Sequence, residues 1–301
     1  MEIIRLFISL ARPIFLLGVA LTYALGAGIA HYLGNQIDWG IYFIGQAWIT
    51  TMQLGAFFLG DYYNSPRING ILQKPIDHSG SGSSEVKWPS QRVALLAAFA
   101  CLAMVASSSV LLISQELLDP EISMIMVFIF LCAFFYSAPP VSFETSGYGE
   151  LIVAIVSVLL VPAFAFLLQA HDLHRLLAMS TFPLVGLFLA MIIALEFINY
   201  GVDIKHGKRT LLVRIGWQSG ITLHNLLILS AFILVGLAAV FGLPHFVIIA
   251  AFVTLPIGLF GIWQLLRIGN GSKPNWTALK ISAIALFGSM AYLITYSYWT
   301  H

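Results

Sequence analysis

Residues 176–216 read LLAMSTFPLVGLFLAMIIALEFINYGVDIKHGKRTLLVRIG. The first part, 176–198, carries a single charge, Glu196, and the rest turns polar and basic at Lys205, Lys208, Arg209 and Arg214. A helix needs about 20 apolar residues to cross the hydrocarbon core of a bilayer. The stretch therefore predicts a membrane span that ends in a polar connection. Comparable apolar runs lie near 14–33, 41–60, 92–114, 122–138, 151–169, 221–242, 245–268 and 277–298. Only 9% of the 301 residues are charged and 59% are hydrophobic. A soluble domain of this length needs about a quarter of its residues charged. The expected fold is all-α, a multi-pass transmembrane helical bundle of about nine helices. Residues 1–301 are read as one domain.

Charge placement orients the bundle. Arg5 and Arg12 precede the first span, and Arg67, Lys74, Lys87 and Arg92 lie between the second and third. Lys205, Lys208, Arg209 and Arg214 follow the sixth, and Arg267 and Lys273 follow the eighth. With alternating spans, all of these share one side. The other side has Arg175 alone, among Asp38, Glu116, Asp119, Glu121 and Asp172. Basic residues collect on the cytoplasmic side, so the N-terminus is expected inside and the C-terminus outside. The first apolar run has no small-residue cleavage site, and the N-terminus is expected to stay in the mature chain. The partner by composition is the lipid bilayer; no basic run points to nucleic acid. Cys101 and Cys132 sit inside apolar runs and read as small core residues.

Two connections are long, 61–91 and 199–220, and both are cytoplasmic in this topology. The second span ends Asp61-Tyr62-Tyr63-Asn64 and the sixth ends Glu196-Phe197-Ile198-Asn199, a shared order of acid, aromatic, any residue, asparagine. The two junctions are four helices apart, which hints at an internal duplication. Asp61 and Asn64 are three residues apart, and Glu196, Asn199 and Asp203 are spaced i, i+3, i+7. Each set therefore lines one face of its helix. Acids at the end of an apolar span carry a desolvation cost and usually face a bundle interior or a watery cavity. Oxygen ligands from two helices suit Mg²⁺, which binds one or two carboxylates and completes its shell with water and phosphate oxygens. Asp61, Glu196 and Asp203 are the candidate metal ligands. Arg67, Lys208 and Arg209 beside them are the candidate partners for a diphosphate. Charged residues at span ends also serve as plain interfacial anchors. That is the reading adopted for Lys74, Lys87, Arg92, Arg214, Arg267 and Lys273, and for Trp39, Trp48, Trp88 and Trp276.

The stretch from Glu196 to Gly216 resembles the second signature of the UbiA prenyltransferase superfamily. It is most similar to the 1,4-dihydroxy-2-naphthoate polyprenyltransferase branch, through Asp203, Gly207-Lys208-Arg209-Thr210-Leu211, Val213-Arg214 and Gly216. Gly60-Asp61-Tyr62-Tyr63-Asn64 resembles the first signature less closely. Supporting similarities are Ala11-Arg12-Pro13, Ser79-Gly80-Ser81-Gly82, Tyr136-Ser137 with Pro139, and Gly147-Tyr148-Gly149-Glu150-Leu151. The resemblance implies a UbiA-like bundle that transfers a polyprenyl group from a prenyl diphosphate to an aromatic quinone precursor. It implies Mg²⁺ as cofactor, Asp61, Asn64, Glu196, Asn199 and Asp203 as the catalytic set, and the plasma membrane of a prokaryote as the location. Asp61 matches the family's first aspartate and Asp203 the last. The departures are Gly60 where the family has Asn, Asn64 and Asn199 where it has Asp, Glu196 where Asp or Asn is usual, and Ile68 and Asn69 near its third aspartate. Three carboxylates remain where the pattern has about five, so a second Mg²⁺ is expected to bind weakly.

Other readings use the same residues. A terpene cyclase would capture the allylic cation with its own double bonds, and a divergent member would bind a prenylated lipid or quinone without turnover. A transporter is favoured less, because the polar clusters lie at one face and not at the midplane. Ser79–Ser84 reads as a flexible linker or a phosphate-approaching loop. Glu150 reads either as an acid at a helix start or as a group orienting an acceptor hydroxyl. His206 and His78 read as solvated loop residues.

Overall fold

The computed structural model describes residues 12–71, 91–115, 117, 119–205 and 207–301. The helices, in chain order, are α1 (Pro13–Tyr32), α2 (Trp39–Ile71), α3 (Gln91–Ser114), α4 (Pro120–Ser137) and the short α5 (Phe143–Ser146). They continue as α6 (Gly149–Ala170), α7 (Arg175–Lys205), the short α8 (Leu211–Ile215), α9 (Trp217–Val240), α10 (His245–Gly269) and α11 (Trp276–Thr300). Among the described residues nine of these are long, and eight are long and apolar enough to cross a membrane. The ninth, α2, carries Gln46, Thr50, Thr51 and Gln53 along its apolar length, and the hydroxyls of Thr50 and Thr51 bond back to Gln46 and Ala47 carbonyls.

Helix ends depart from the sequence expectation at the two polar connections. α2 continues through Asp61, Asn64 and Arg67 to Ile71, and α7 continues through Asn199 and Asp203 to Lys205. Apolarity stops where the bilayer stops, but backbone hydrogen bonding does not, so the helices outrun their hydrophobic runs. α10 is broken at Val253-Thr254, before Pro256, which has no N–H to continue the ladder.

The last helix closes on the first. α1 packs against α11 on one side and α6 on the other; α2, α3 and α4 form one half of the bundle, and α7, α9, α10 and α11 the other. Lipid supplies no hydrophobic drive between helices, so close packing and interhelical hydrogen bonds must hold such contacts. At the α1–α6 seam a Cβ on Gly26 would overlap the Pro162 carbonyl, so glycine lets the two backbones touch. The same seam contains a π-turn at Val156–Leu160, where the Val161 N–H reaches back to the Val156 carbonyl. Pro162 cannot donate the next bond, and the Thr22 hydroxyl donates to the stranded Ser157 carbonyl at 2.6 Å. Thr22→Val is expected to destabilise the protein by about 1 kcal/mol, read from reversible unfolding in detergent.

Trp48 is a correction. It is not an interfacial anchor but lies 2% exposed inside the bundle, donating to Ser109 Oγ at 2.9 Å and packing on Phe164. Trp39 is exposed and stacked on Trp299. Cys101 and Cys132 are free.

Candidate active site

The polar helix ends converge at one end of the bundle, around the corner between α4 and α6. Asp61, just past the apolar run of α2, is partly buried and interacts electrostatically with Arg12 and Glu144. Arg12 Nη2 stands 4.0 Å from Glu144 Oε1, and its guanidinium lies over the Phe57 ring at 5.2 Å. On the opposite side, Glu196 Oε2 accepts the Leu212 N–H at 3.1 Å, an amide in the first turn of α8. The carboxyl groups of Glu196 and Glu150 lie within hydrogen-bonding reach of each other, and Lys208 attracts Glu196. Two carboxyl groups that close need a proton or a cation between them.

Tyr136, near the end of α4, links the two sides. It interacts electrostatically with Glu144 and Arg12 from the first and with Glu150 and Glu196 from the second. The acids of α2 and α7, far apart in sequence, are thus linked through Arg12, Glu144 and Tyr136 into one electrostatic cluster. Beside this cluster runs the connection 138–148, which Arg214 holds by donating Nη1–H to the Ser146 carbonyl at 3.1 Å and lying over the Tyr148 ring at 4.4 Å. Arg214, read from the sequence as a plain interfacial anchor, also braces this connection.

Of the sequence candidates, Glu196, Asn199 and Asp203 occupy the last turns of α7 and are partly buried. Lys208 and Arg209 are exposed on the segment after it, where the Lys208 N–H donates to the Asp203 carbonyl at 2.9 Å. Asn64 and Arg67 continue the helix of Asp61, but their side chains lie outside the described residues, as do His78, His206, Trp88 and Ser79–Ser84. Sequence reading missed Glu144 and gave Tyr136 and Arg12 no chemical role. Glu144 left a usable signal: it is an acid on the side where basic residues collect.

The donor set fits a hard divalent cation in kind. Every anionic donor is a carboxylate, and Asp61 Oδ2 and Glu150 Oε2 are both buried without a hydrogen-bond partner. Among the described residues no three Asp, Glu, His or Cys groups form a ready metal cage. Mg²⁺ needs only one or two protein carboxylates when substrate phosphates and water supply the rest.

The sequence profile of the UbiA prenyltransferase family matches residues 19–284. The chain belongs to that family. No curated protein matches the sequence significantly. Among solved structures, a UbiA homolog from Archaeoglobus fulgidus bound to GPP and Mg²⁺ is similar over 96% of this chain and 99% of its own, with a TM-score of 0.67 at 16% identity. The same homolog bound to Cd²⁺ gives 0.63 at 17% identity over 96% and 99%. Digeranylgeranylglyceryl phosphate synthase gives 0.68 at 12% identity over the full length of both chains. At such identities the likeness is one of fold. This UbiA member is an integral, multi-pass membrane protein, and prenyl transfer is the kind of reaction its family supports.

Proposed function

We propose that this protein transfers a polyprenyl group from a prenyl diphosphate to an aromatic quinone precursor, with Mg²⁺ as cofactor. The resemblance of Gly207-Lys208-Arg209-Thr210 to the signature of the 1,4-dihydroxy-2-naphthoate polyprenyltransferase branch supports an acceptor of that class. The observation that carries the reading is that two acidic helix ends, Asp61 on α2 and Glu196 on α7, belong to one electrostatic cluster that also includes Arg12 and Lys208. We read this end of the bundle as cytoplasmic, with the N-terminus inside and the protein in a prokaryotic plasma membrane.

In this reading Asp61, Glu196 and Asp203 would hold Mg²⁺, with Asn64 and Asn199 contributing amide oxygens. Bound Mg²⁺ supplies charge neutralisation to the departing diphosphate. Lys208, Arg209 and Arg67 bind its outer oxygens, since charge-assisted contacts to phosphate are the strong ones. The prenyl tail runs into the apolar bundle, where water is excluded and the allylic cation survives long enough to react. A ring carbon of the acceptor would then form a C–C bond to the allylic carbon whose C–O bond to diphosphate has broken, and the proton displaced from that ring carbon would pass to the released diphosphate. The chain's own contribution is mainly electrostatic and positional.

The test is incubation of purified protein with labelled prenyl diphosphates, Mg²⁺ and a panel of aromatic acceptors, with a glyceryl phosphate alongside. Diphosphate release that requires an aromatic acceptor is the expected result. Release with no acceptor points to cyclisation or hydrolysis. Folded protein that releases nothing with any substrate would overturn the transferase reading in favour of a prenyl-lipid binder.

A further inference from the structure

We propose that the half of the bundle formed by α7, α9, α10 and α11 binds one structural water within its membrane-spanning part, hydrogen-bonded between His224 on α9 and Ser282 on α11. The site is separate from the acidic cluster and does not depend on the reaction proposed above.

α9 is one of the membrane-spanning helices, and His224, two turns from its start, is 2% exposed. An imidazole buried at that depth is costly unless its ring nitrogens find partners. Nδ1 stands 3.0 Å from Asn225 Oδ1, which is an acceptor, so Nδ1 carries the proton. Among the described residues that is the ring's one hydrogen bond, and Nε2 is left as an acceptor. Ser282 is also buried and directs its hydroxyl proton to Gln264 Oε1 at 2.9 Å, or to the Leu279 carbonyl at 3.1 Å. Its oxygen is therefore a second acceptor. Two acceptors cannot bond to each other, but a water has two protons to donate and can join them.

The space between them suits that molecule. His224 and Ser282 line one cavity, closed by Leu187, Met191, Ile257 and Gly261. Its volume is about 10 Å³ for a water-sized sphere, close to the least that holds one water. Polar cavities of this size take up water, whereas apolar ones stay dry. A cavity of the second kind lies between α2, α3 and α4, with equal volume and a lining that includes Met52, Leu59, Val105 and Phe130. Its one hydroxyl, on Thr51, donates to the Ala47 and Trp48 carbonyls and asks nothing of a guest.

The water has a structural task. Among the described residues the side-chain hydrogen bonds of α9 stay within α9, from Thr222 to Gln218, from Ser230 to Leu227 and between His224 and Asn225. α10 and α11 are joined by Gln264 and Ser282. Helices in lipid depend on such links, and the water extends this one to a third helix. α9 follows directly on α8, whose Leu212 N–H binds Glu196, so the bridge secures the helix behind that contact.

Magic-angle-spinning NMR on the full-length protein in lipid bilayers tests this, with histidine and asparagine isotopically labelled. The sequence has a single His-Asn step, His224-Asn225, which assigns the ring. A cross-peak from water protons to His224 Nε2 is the expected result, and its absence from the folded wild type overturns the proposal. Gly261→Ala places a methyl group on the cavity wall, 3.9 Å from Ile228 Cδ1 and so without a clash. That variant is expected to fold and to lose the cross-peak, because the methyl takes the water's room. A cross-peak that persists in folded Gly261→Ala overturns the site. If Gly261→Ala fails to fold, Ser282→Cys decides: its thiol has a similar shape and is a poor acceptor, so loss of the cross-peak supports the bridge and persistence overturns it.

Discussion

Asp61→Asn is expected to slow Mg²⁺-dependent release of diphosphate by about 10²–10³-fold while leaving the protein folded. The substitution keeps size and shape, so packing at the end of α2 is undisturbed. It removes one full negative charge from a half-site whose signature already has Asn64 in place of an acid. The loss falls on the step where charge develops on the leaving group, so single-turnover rates with labelled prenyl diphosphate should drop more than substrate affinity does. Asp203→Asn should behave alike. Asp172→Asn, exposed at the opposite end of the bundle, should not change the rate. Full activity in Asp61→Asn, with an unchanged melting profile, would remove Asp61 from the metal site.

Gly26→Ala is expected to be the most damaging single-methyl change in the bundle, costing about 3 kcal/mol or preventing assembly. The added Cβ would meet the carbonyl, carbonyl carbon and Cα of Pro162, all of them backbone atoms. A side chain in the way can turn to another rotamer; a helix backbone can only move whole. α1 also packs on α11, so displacing it from α6 disturbs a second seam. Gly18→Ala is the control, since its Cβ would stand 3.5 Å from the Phe287 ring, an ordinary contact. Thermal unfolding in detergent should separate the two variants clearly, and equal melting temperatures would refute the account of the α1–α6 seam.

The fold was legible because the bilayer imposes it: runs such as 151–169 and 176–198 have no other solvent. The helix ends were less legible. The composition changes at Asp61 and Asn199, yet α2 and α7 run on to Ile71 and Lys205. Period-3.6 spacing of Glu196, Asn199 and Asp203 was the better guide there. Trp48 was misread because its place near the middle of α2 was judged by residue type; only the packing shows that the indole N–H has Ser109 as a partner. At the site, the acids of α2 and α7 were visible as a repeated order of residues. Glu144 and Tyr136 were not, because their roles depend on a corner that folds between the two, and no local spacing encodes which side chain that corner turns inward. The bracing role of Arg214 was hidden for the same reason.

The π-turn in α6 sets the angle between the two ends of that helix. Five residues per hydrogen-bonded step instead of four add one residue of chain, and one residue of α-helix corresponds to roughly 100° of rotation. On the near side of the turn Glu150 faces Glu196; on the far side Gln169 accepts the Asp38 N–H at 2.9 Å and fastens the C-terminal end of α6 to the start of α2. α6 is therefore a shaft keyed at two different angles. Insertions or deletions of a single residue between 156 and 160 amount to a gear change: they re-index Glu150 against Glu196 while the clasp at the other end, Gln169 on Asp38, keeps its own register.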